Sequence, residues 1–162
     1  LHLHARPSLP VRSGHAAHET EPGKESMINP TAAQEAAIES MVRSFYERGL
    51  ADAVLAPIFF DAIHDWEGHI RLVSDFWSNS IYGTGRYKGN AFAPHMKLKF
   101  GVEAFEHWLA AFEGAANEHL DTEAAGRAIR VARHMAQSYR TGLFPFTDAD
   151  GKPSRVPVRK PS

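Results

Sequence analysis

The 162-residue sequence contains no cysteine. This absence excludes disulfides, zinc–thiolate and iron–sulfur sites and thiol catalysis, and we expect a cytoplasmic protein. The 18 basic and 19 acidic residues give a formal net charge of -1, without the basic excess typical of proteins that bind nucleic acid or a membrane surface. No apolar run is long enough to predict a membrane-spanning helix. The composition therefore favours a small-molecule ligand.

The common catalytic and metal-binding motifs are also missing. The sequence has no HExxH, no Gly-x-Ser-x-Gly and no phosphate-binding loop. An alternative site, in which His64, His69 and His95 bind a bare zinc or iron ion, is disfavoured by spacing. His64 and His69 are five residues apart, whereas a separation of four would align two ligands on one helix face.

The length predicts one compact domain. Residues 1–26 are rich in His, Pro, Ser, Gly and Glu and lack hydrophobic periodicity, so we expect a disordered leader, either a tag or a gene-start artefact. The folded domain is predicted over residues 27–146. A flexible tail is predicted over residues 147–162, because Pro145 and a polar, proline-containing segment end the hydrophobic pattern.

Apolar residues at spacings of three and four predict an all-α fold. No strand pattern and no internal repeat is evident. Pro57 is expected to discourage helix at the residue before it, within a short apolar segment over residues 56–60. Helical segments are predicted over residues 32–50, 66–81, 92–98, 102–119 and 122–143.

His95 is the residue on which a functional interpretation depends. It lies in a short predicted helical segment, Ala93-Pro94-His95-Met96-Lys97-Leu98, between two aromatic-rich amphipathic helices. A buried neutral imidazole at such a place is a candidate iron ligand. Alone, the histidine would prove little, since most histidines are surface residues or have a hydrogen-bond partner in the core.

Over residues 32–143 the chain resembles the truncated haemoglobins, and among them the third group. The resemblance rests on an ordered set of short motifs, and the sequence also lacks any Gly-Gly dipeptide, in keeping with the third group. It implies a shortened globin fold in which two antiparallel helix pairs stack, with a largely unstructured segment before the iron-ligand helix. The motifs are Ser44-Phe45-Tyr46-Glu47, Pro57-Ile58-Phe59, Trp66 with His69, Asp75-Phe76-Trp77, Pro94-His95-Met96-Lys97-Leu98 and Phe105-Glu106-His107-Trp108-Leu109.

The resemblance implies a noncovalent b-type haem (iron protoporphyrin IX) with His95 as the proximal iron ligand. Tyr46, His69 and Trp108 would lie on the opposite, distal face, where hydroxyl, imidazole and indole groups donate hydrogen bonds to a diatomic ligand. Both Tyr46 and Trp108 also fit an ordinary role in core packing.

Further cofactor contacts are expected from apolar and basic side chains. The full set of expected haem contacts is Phe59, His69, Val73, Phe76, Trp77, Tyr87, Phe92, His95 and Lys97. The apolar members fit equally well as core residues. Arg86, Tyr87, Lys97 and Lys99 are candidates for the haem propionates, with solvated surface as the alternative for each.

The function implied is reversible binding of O2, NO, CO or similar small ligands, for NO/O2 redox chemistry. Nitric oxide dioxygenation or a peroxidase-like cycle would need an external electron donor, because the sequence carries no reductase domain or flavin motif. The alternatives are oxygen storage, delivery (oxygen transport) or sensing without turnover, and a haem-free helical interaction module. We expect a monomer or weak dimer.

Overall fold

The computed structural model describes residues 29–158 and confirms the all-α prediction. Six helices account for most of this part of the chain, and none of them is both long and apolar enough to cross a membrane. A two-stranded antiparallel sheet follows the last helix. The elements are α1 (Ala32–Leu50), α2 (Leu55–Ala62), α3 (Trp66–Tyr82), α4 (Phe92–His95), α5 (Ala104–His119), α6 (Thr122–Leu143), β1 (Phe146–Thr147) and β2 (Pro153–Ser154). The predicted leader lies outside the described residues.

Side-chain caps fix the starts of the three longest helices. Thr31 forms a capping box with Gln34 at the start of α1. Asp65 caps α3 and Asp121 caps α6, each by accepting a hydrogen bond from the backbone N–H three residues later. At the end of α3, Gly83 takes the left-handed conformation with φ 68°, which glycine adopts without strain. The predicted bounds of these three helices agree closely with the structure, whereas the segment predicted over residues 92–98 is helical only over Phe92–His95.

Helix α2 corrects the expectation that Pro57 discourages helix at the preceding residue. Ala56 is helical, and its N–H donates to the Asp52 carbonyl at 2.9 Å. Pro57 falls in the first turn, where the N–H that proline lacks has no intrahelical partner to lose. Asp52 strengthens this start, because its Oδ1 accepts hydrogen bonds from the N–H groups of Val54 and Leu55.

The tail also differs from the expectation, because β1 and β2 form a hairpin where no strand was predicted. Its turn is closed by Asp148, whose N–H donates to the Lys152 carbonyl at 2.7 Å and whose side chain accepts from two backbone N–H groups. Gly151 supplies the left-handed residue, with φ 80°. The strands are two residues long, too short to produce a hydrophobic alternation.

The core lies where α1 packs against α3 and α5, and where α6 packs against α5 and α3. Small residues let α5 and α6 approach closely, and aromatic and aliphatic side chains fill the space beside α1. Fully or almost fully buried residues include Ile38, Met41, Val42, Phe112, Ala115, Ala116, Ala128 and Ala132.

A polar network ties the non-helical segment 83–91 to α1. Glu35 accepts a hydrogen bond from the fully buried Ser78 at 2.9 Å and forms an ion pair with Arg86 at 3.0 Å. Ser78 also shares a hydrogen bond with Thr84 at 3.1 Å. The segment that leads into α4 is therefore anchored at its start.

Gly49→Ala is expected to destabilise the protein by about 1–3 kcal/mol, because a methyl group on this buried residue overlaps the ring of Phe59. The added Cβ would lie only 2.9 Å from Phe59 Cδ2, with Cε2 closer still. Urea unfolding measures the change. Gly126→Ala in α6 is the matched control: its Cβ meets nothing nearer than Arg130 Nη1 at 3.6 Å, so the higher helix propensity of alanine should raise stability by up to about 1 kcal/mol. Equal effects of the two substitutions would contradict the overlap.

Asp52 is expected to contribute stability that depends on pH. A hydrogen bond from His107 at 2.8 Å, together with the two backbone N–H groups of α2, lowers the pKa of Asp52 below its usual value of 3.8. A lowered folded-state pKa gives stability that is present above the unfolded pKa and lost as the pH falls through the folded one. Asp52→Asn should therefore flatten the decline of unfolding free energy below about pH 4. Asp61→Asn, which removes an exposed carboxylate of α2 that makes none of these hydrogen bonds, is the control.

Candidate functional site

A largely apolar cavity of about 380 Å³ lies among the helices. All six helices contribute to its wall, together with the segments on either side of α4. Leu72 is 52% exposed although it lines the cavity, so the cavity opens to solvent beside α3. A cavity of this size and character suits a mostly apolar small molecule or cofactor.

On one side of the cavity, His95 is held in a defined tautomer. Its Nδ1 lies 2.5 Å from the carbonyl oxygen of Ala91, and since a carbonyl oxygen can only accept, Nδ1 carries the hydrogen. Burial lowers the pKa of His95, although the hydrogen bond to Ala91 opposes this shift. The imidazole is therefore neutral at neutral pH, and its Nε2 keeps a free electron pair. The ring of Tyr139 packs beside it, with centroids 5.1 Å apart.

Tyr46 and His69 form a second polar group in the cavity wall. Tyr46 Oη and His69 Nε2 are 2.6 Å apart, and Tyr46 is only 8% exposed. Burial raises the pKa of Tyr46. Burial also lowers the pKa of His69, and the nearby His95 lowers it further. Both side chains are therefore neutral at neutral pH, and one hydrogen bond joins two groups that can each donate or accept.

Trp108 lines the cavity from α5 and belongs to an aromatic cluster. Its ring is stacked with Phe112 at 5.8 Å and meets the ring of Phe45 edge-on at 6.0 Å. Phe45 in turn packs edge-on against Tyr46 at 4.9 Å. The hydrogen bonds found among residues 29–158 do not engage the indole N–H of Trp108, which leaves it available to donate.

The structure brings most of the predicted site residues together. Nine of them line the cavity: Tyr46, Phe59, His69, Val73, Phe76, Trp77, Tyr87, His95 and Trp108. Phe92 does not line it and packs instead on the ring of Tyr139 at 5.1 Å. Lys97 and Lys99 are exposed outside the wall, and Arg86 is paired with Glu35.

Sequence reasoning missed a second set of wall residues, which come from all six helices and from the segments between them. The one signal for the α6 members is that Met135 and Tyr139 are four residues apart, which puts them on one helix face. No neighbouring residue in the sequence indicates that this helix face contacts His95. The wall residues not assigned to the site from the sequence are Phe45, Leu55, Ile58, Ala62, Ile63, Leu72, Ala91, Pro94, Leu98, Phe100, Ala104, Phe105, Phe112, Met135, Ala136 and Tyr139. Of these, Phe45, Ile58, Pro94, Leu98 and Phe105 appear above only as members of the family motifs.

No protein-only metal cluster is found within residues 29–158. The structure there contains no group of three His, Asp or Glu side chains placed to hold a metal ion. His64, which the bare-metal alternative requires, is exposed outside the cavity wall.

A helical fold that encloses an apolar cavity, with a neutral imidazole in its wall, is typical of the globins. No family model matches the sequence. Among curated proteins, the chain is 30% identical over 114 residues to a group 3 truncated hemoglobin of Campylobacter jejuni, a match that covers 67% of this chain and 90% of that protein. Among solved structures, it is similar to the crystal structure of a group III truncated hemoglobin from Campylobacter jejuni, with a TM-score of 0.64 and 29% identity over 72% of this chain and 96% of that one.

The chain belongs to the group 3 truncated haemoglobins. The family, the truncated globin fold and the suggested resemblance are thereby confirmed. Membership implies a haem cofactor and, in general terms, the binding of small gaseous ligands. The cavity fits that group, because its wall is mainly apolar and includes the neutral imidazole of His95, whose Nε2 keeps a free electron pair.

Proposed function

We propose that this chain binds one b-type haem through His95 and holds a diatomic ligand beside Tyr46, His69 and Trp108, for NO/O2 redox chemistry. The observation that carries the proposal is the pair of polar groups in one apolar cavity. One is a neutral imidazole with a fixed tautomer, and the other is a buried tyrosine hydrogen-bonded to a second neutral imidazole.

When bound, the haem supplies an iron centre with a coordination position for a small gas. His95 is suited to hold the iron because the hydrogen bond from Nδ1 to Ala91 leaves Nε2 as the electron-pair donor. The same hydrogen bond orients the ring and raises its basicity. Ala91 in turn belongs to the segment that Glu35 and Arg86 tie to α1.

Tyr46 and His69 together supply a hydrogen-bond donor whose direction depends on a tautomer. When His69 carries its hydrogen on Nε2, it donates to the Tyr46 oxygen, and the Tyr46 hydroxyl is then free to donate to a ligand. When Nε2 is unprotonated, Tyr46 donates to His69 and is no longer available. The indole N–H of Trp108 is a second donor, and indole can only donate.

The apolar wall excludes water and strengthens these polar interactions. Phe76 packs edge-on against Tyr87 at 5.3 Å, and Trp77 is stacked with Phe112 at 4.4 Å, so the rings that flank the cavity are held by each other. The exposed ammonium groups of Lys97 and Lys99 are suited to pair with the propionate groups of the haem, if these extend from the cavity into solvent.

Buried hydrogen-bond donors stabilise negative charge on a diatomic ligand, and they do so more strongly in a low-dielectric site. A ligand held in this way would leave slowly, which favours redox chemistry over delivery. Turnover would require an external electron donor. Storage, delivery or sensing predicts fast, reversible ligand release instead, so the rate of O2 release separates the two uses. A haem-free helical interaction module would give no haem spectrum at all.

His95→Ala is expected to abolish stoichiometric haem binding, because no other cavity residue offers a neutral nitrogen fixed in this way. The measurement is the Soret absorption of the purified protein titrated with haem, before and after dithionite and carbon monoxide. Added imidazole should restore part of the band by occupying the space of the lost ring. His134→Ala, which removes an exposed histidine of α6, is the control and should bind haem normally. Unchanged haem affinity in His95→Ala would rule out the assigned ligand.

Tyr46→Phe is expected to speed O2 release by about 10- to 100-fold, because a hydrogen bond to a charged group contributes about 1.5–3 kcal/mol. Stopped-flow replacement of O2 by carbon monoxide measures the rate. Tyr82→Phe removes a hydroxyl on α3 that does not line the cavity and should leave the rate unchanged. An equal rate in Tyr46→Phe and the unsubstituted protein would exclude this hydrogen bond, and a fast release in the unsubstituted protein would favour delivery.

A further inference from the structure

The segment after α6 forms the hairpin of β1 and β2, and Arg155 lies just after it. The hairpin turn is closed by Asp148, whose Oδ1 accepts hydrogen bonds from the N–H groups of Asp150 and Lys152, both at 2.9 Å. Arg155 follows β2 directly, and the Ser154 side chain bonds both backbone groups of Val156 beyond it. The backbone around Arg155 is therefore held by several hydrogen bonds.

Arg155 lies over two phenylalanine rings. Its guanidinium carbon is 4.7 Å from the ring centroid of Phe100 and 5.0 Å from that of Phe144. Phe100, Phe105 and Phe144 pack on one another with centroids 5.5 to 6.0 Å apart. Because Phe100 and Phe105 line the cavity and Phe144 follows α6, the arginine joins the hairpin to the cavity wall.

The segment of residues 96–103, which connects His95 to α5, has few other restraints. Its backbone hydrogen bonds are turn-type contacts, such as that from Leu98 N to the His95 carbonyl at 3.2 Å. None of its side chains makes a hydrogen bond or ion pair to another residue within 29–158. Leu98 and Phe100 line the cavity, so the position of this segment depends on how those two side chains pack.

The contacts of Arg155 favour docking of the hairpin, and its desolvation opposes it. Nε and Nη2 are buried without a hydrogen-bond partner among the described residues, which is unfavourable for a charged group. The cation–π contacts and the apolar stem lying on the rings act in the opposite direction. An apolar side chain of similar length would keep the ring contacts without this desolvation.

We propose that Arg155 is a positioning residue, through which the C-terminal hairpin holds Phe100 and thereby the segment after His95. We call the contact of Arg155 with the rings of Phe100 and Phe144 the clamp. The inference rests on the proposed function, because haem is the molecule whose retention the clamp affects. The clamp acts by covering the rings, so an apolar side chain of similar length should replace it.

The test compares Arg155→Ala with Arg155→Met and with Arg130→Ala, which removes an exposed arginine of α6. Transfer of haem to an excess of apomyoglobin should be about tenfold faster in Arg155→Ala, and within about twofold of the unsubstituted rate in the other two. Amide hydrogen exchange should rise in residues 96–103 of Arg155→Ala while the core of α1 and α5 keeps its protection.

A spectroscopic signature separates positioning from a general loss of stability. The iron–imidazole stretching band of the ferrous protein should shift in Arg155→Ala and return in Arg155→Met. A uniform rise of exchange with an unshifted band would overturn the proposal, as would haem loss in Arg155→Met as fast as in Arg155→Ala.

The exchange measurement is repeated on the haem-free full-length chain, so that the clamp is tested apart from haem binding. If the unsubstituted protein shows no Soret band, the proposed function fails. A local rise of exchange in haem-free Arg155→Ala would still support the clamp. Unchanged exchange there, in a protein that binds haem, would refute the clamp alone.

Discussion

The hydrogen bond from His95 Nδ1 to the Ala91 carbonyl is the constraint on which the rest of the site depends. It fixes the tautomer and orients the ring, while burial in the apolar wall keeps the imidazole neutral. Its acceptor lies at the end of a non-helical segment, which would have many conformations if it were not anchored. The ion pair of Arg86 with Glu35 anchors this segment, and Glu35 is held in turn by Ser78, so a polar network remote from the cavity helps to place its electron-pair donor.

The opposite wall meets a different requirement, because it must bury polar groups without leaving them unpaired. Tyr46 and His69 satisfy each other across 2.6 Å, and their burial disfavours the charged form of both. Aromatic contacts then restrict Tyr46 from three sides, with ring centroids of Phe45, Phe59 and Trp66 at 4.9, 5.2 and 5.5 Å. The pair is therefore held in position by its neighbours, while the direction of its hydrogen bond depends on the tautomer of His69.

Much of the fold followed from local signals in the sequence, whereas the complete cavity wall did not. Thr31, Asp65, Asp121 and Gly83 mark helix ends by short-range chemistry, which explains why the predicted bounds agree with the structure. Tyr139 and Phe100 reach the cavity only through tertiary packing, and no residue near them in sequence indicates it. Local rules also gave two wrong predictions, at Pro57 and at the hairpin. A proline in a first turn is harmless, and a two-residue strand has no period to detect.

Cofactor binding and folding are linked in a domain of this design. In total, twenty-five residues line the cavity, and every helix contributes to them. Their apolar atoms would gain packing contacts with a flat apolar group such as haem. On the proposed function, haem bound in this cavity would stabilise the native state through residues that also belong to the core. The short α4 and the segment behind it contribute few buried side chains of their own. Their order must come from neighbours, from the anchored segment on one side and from the aromatic contacts of α5, α6 and the hairpin on the other.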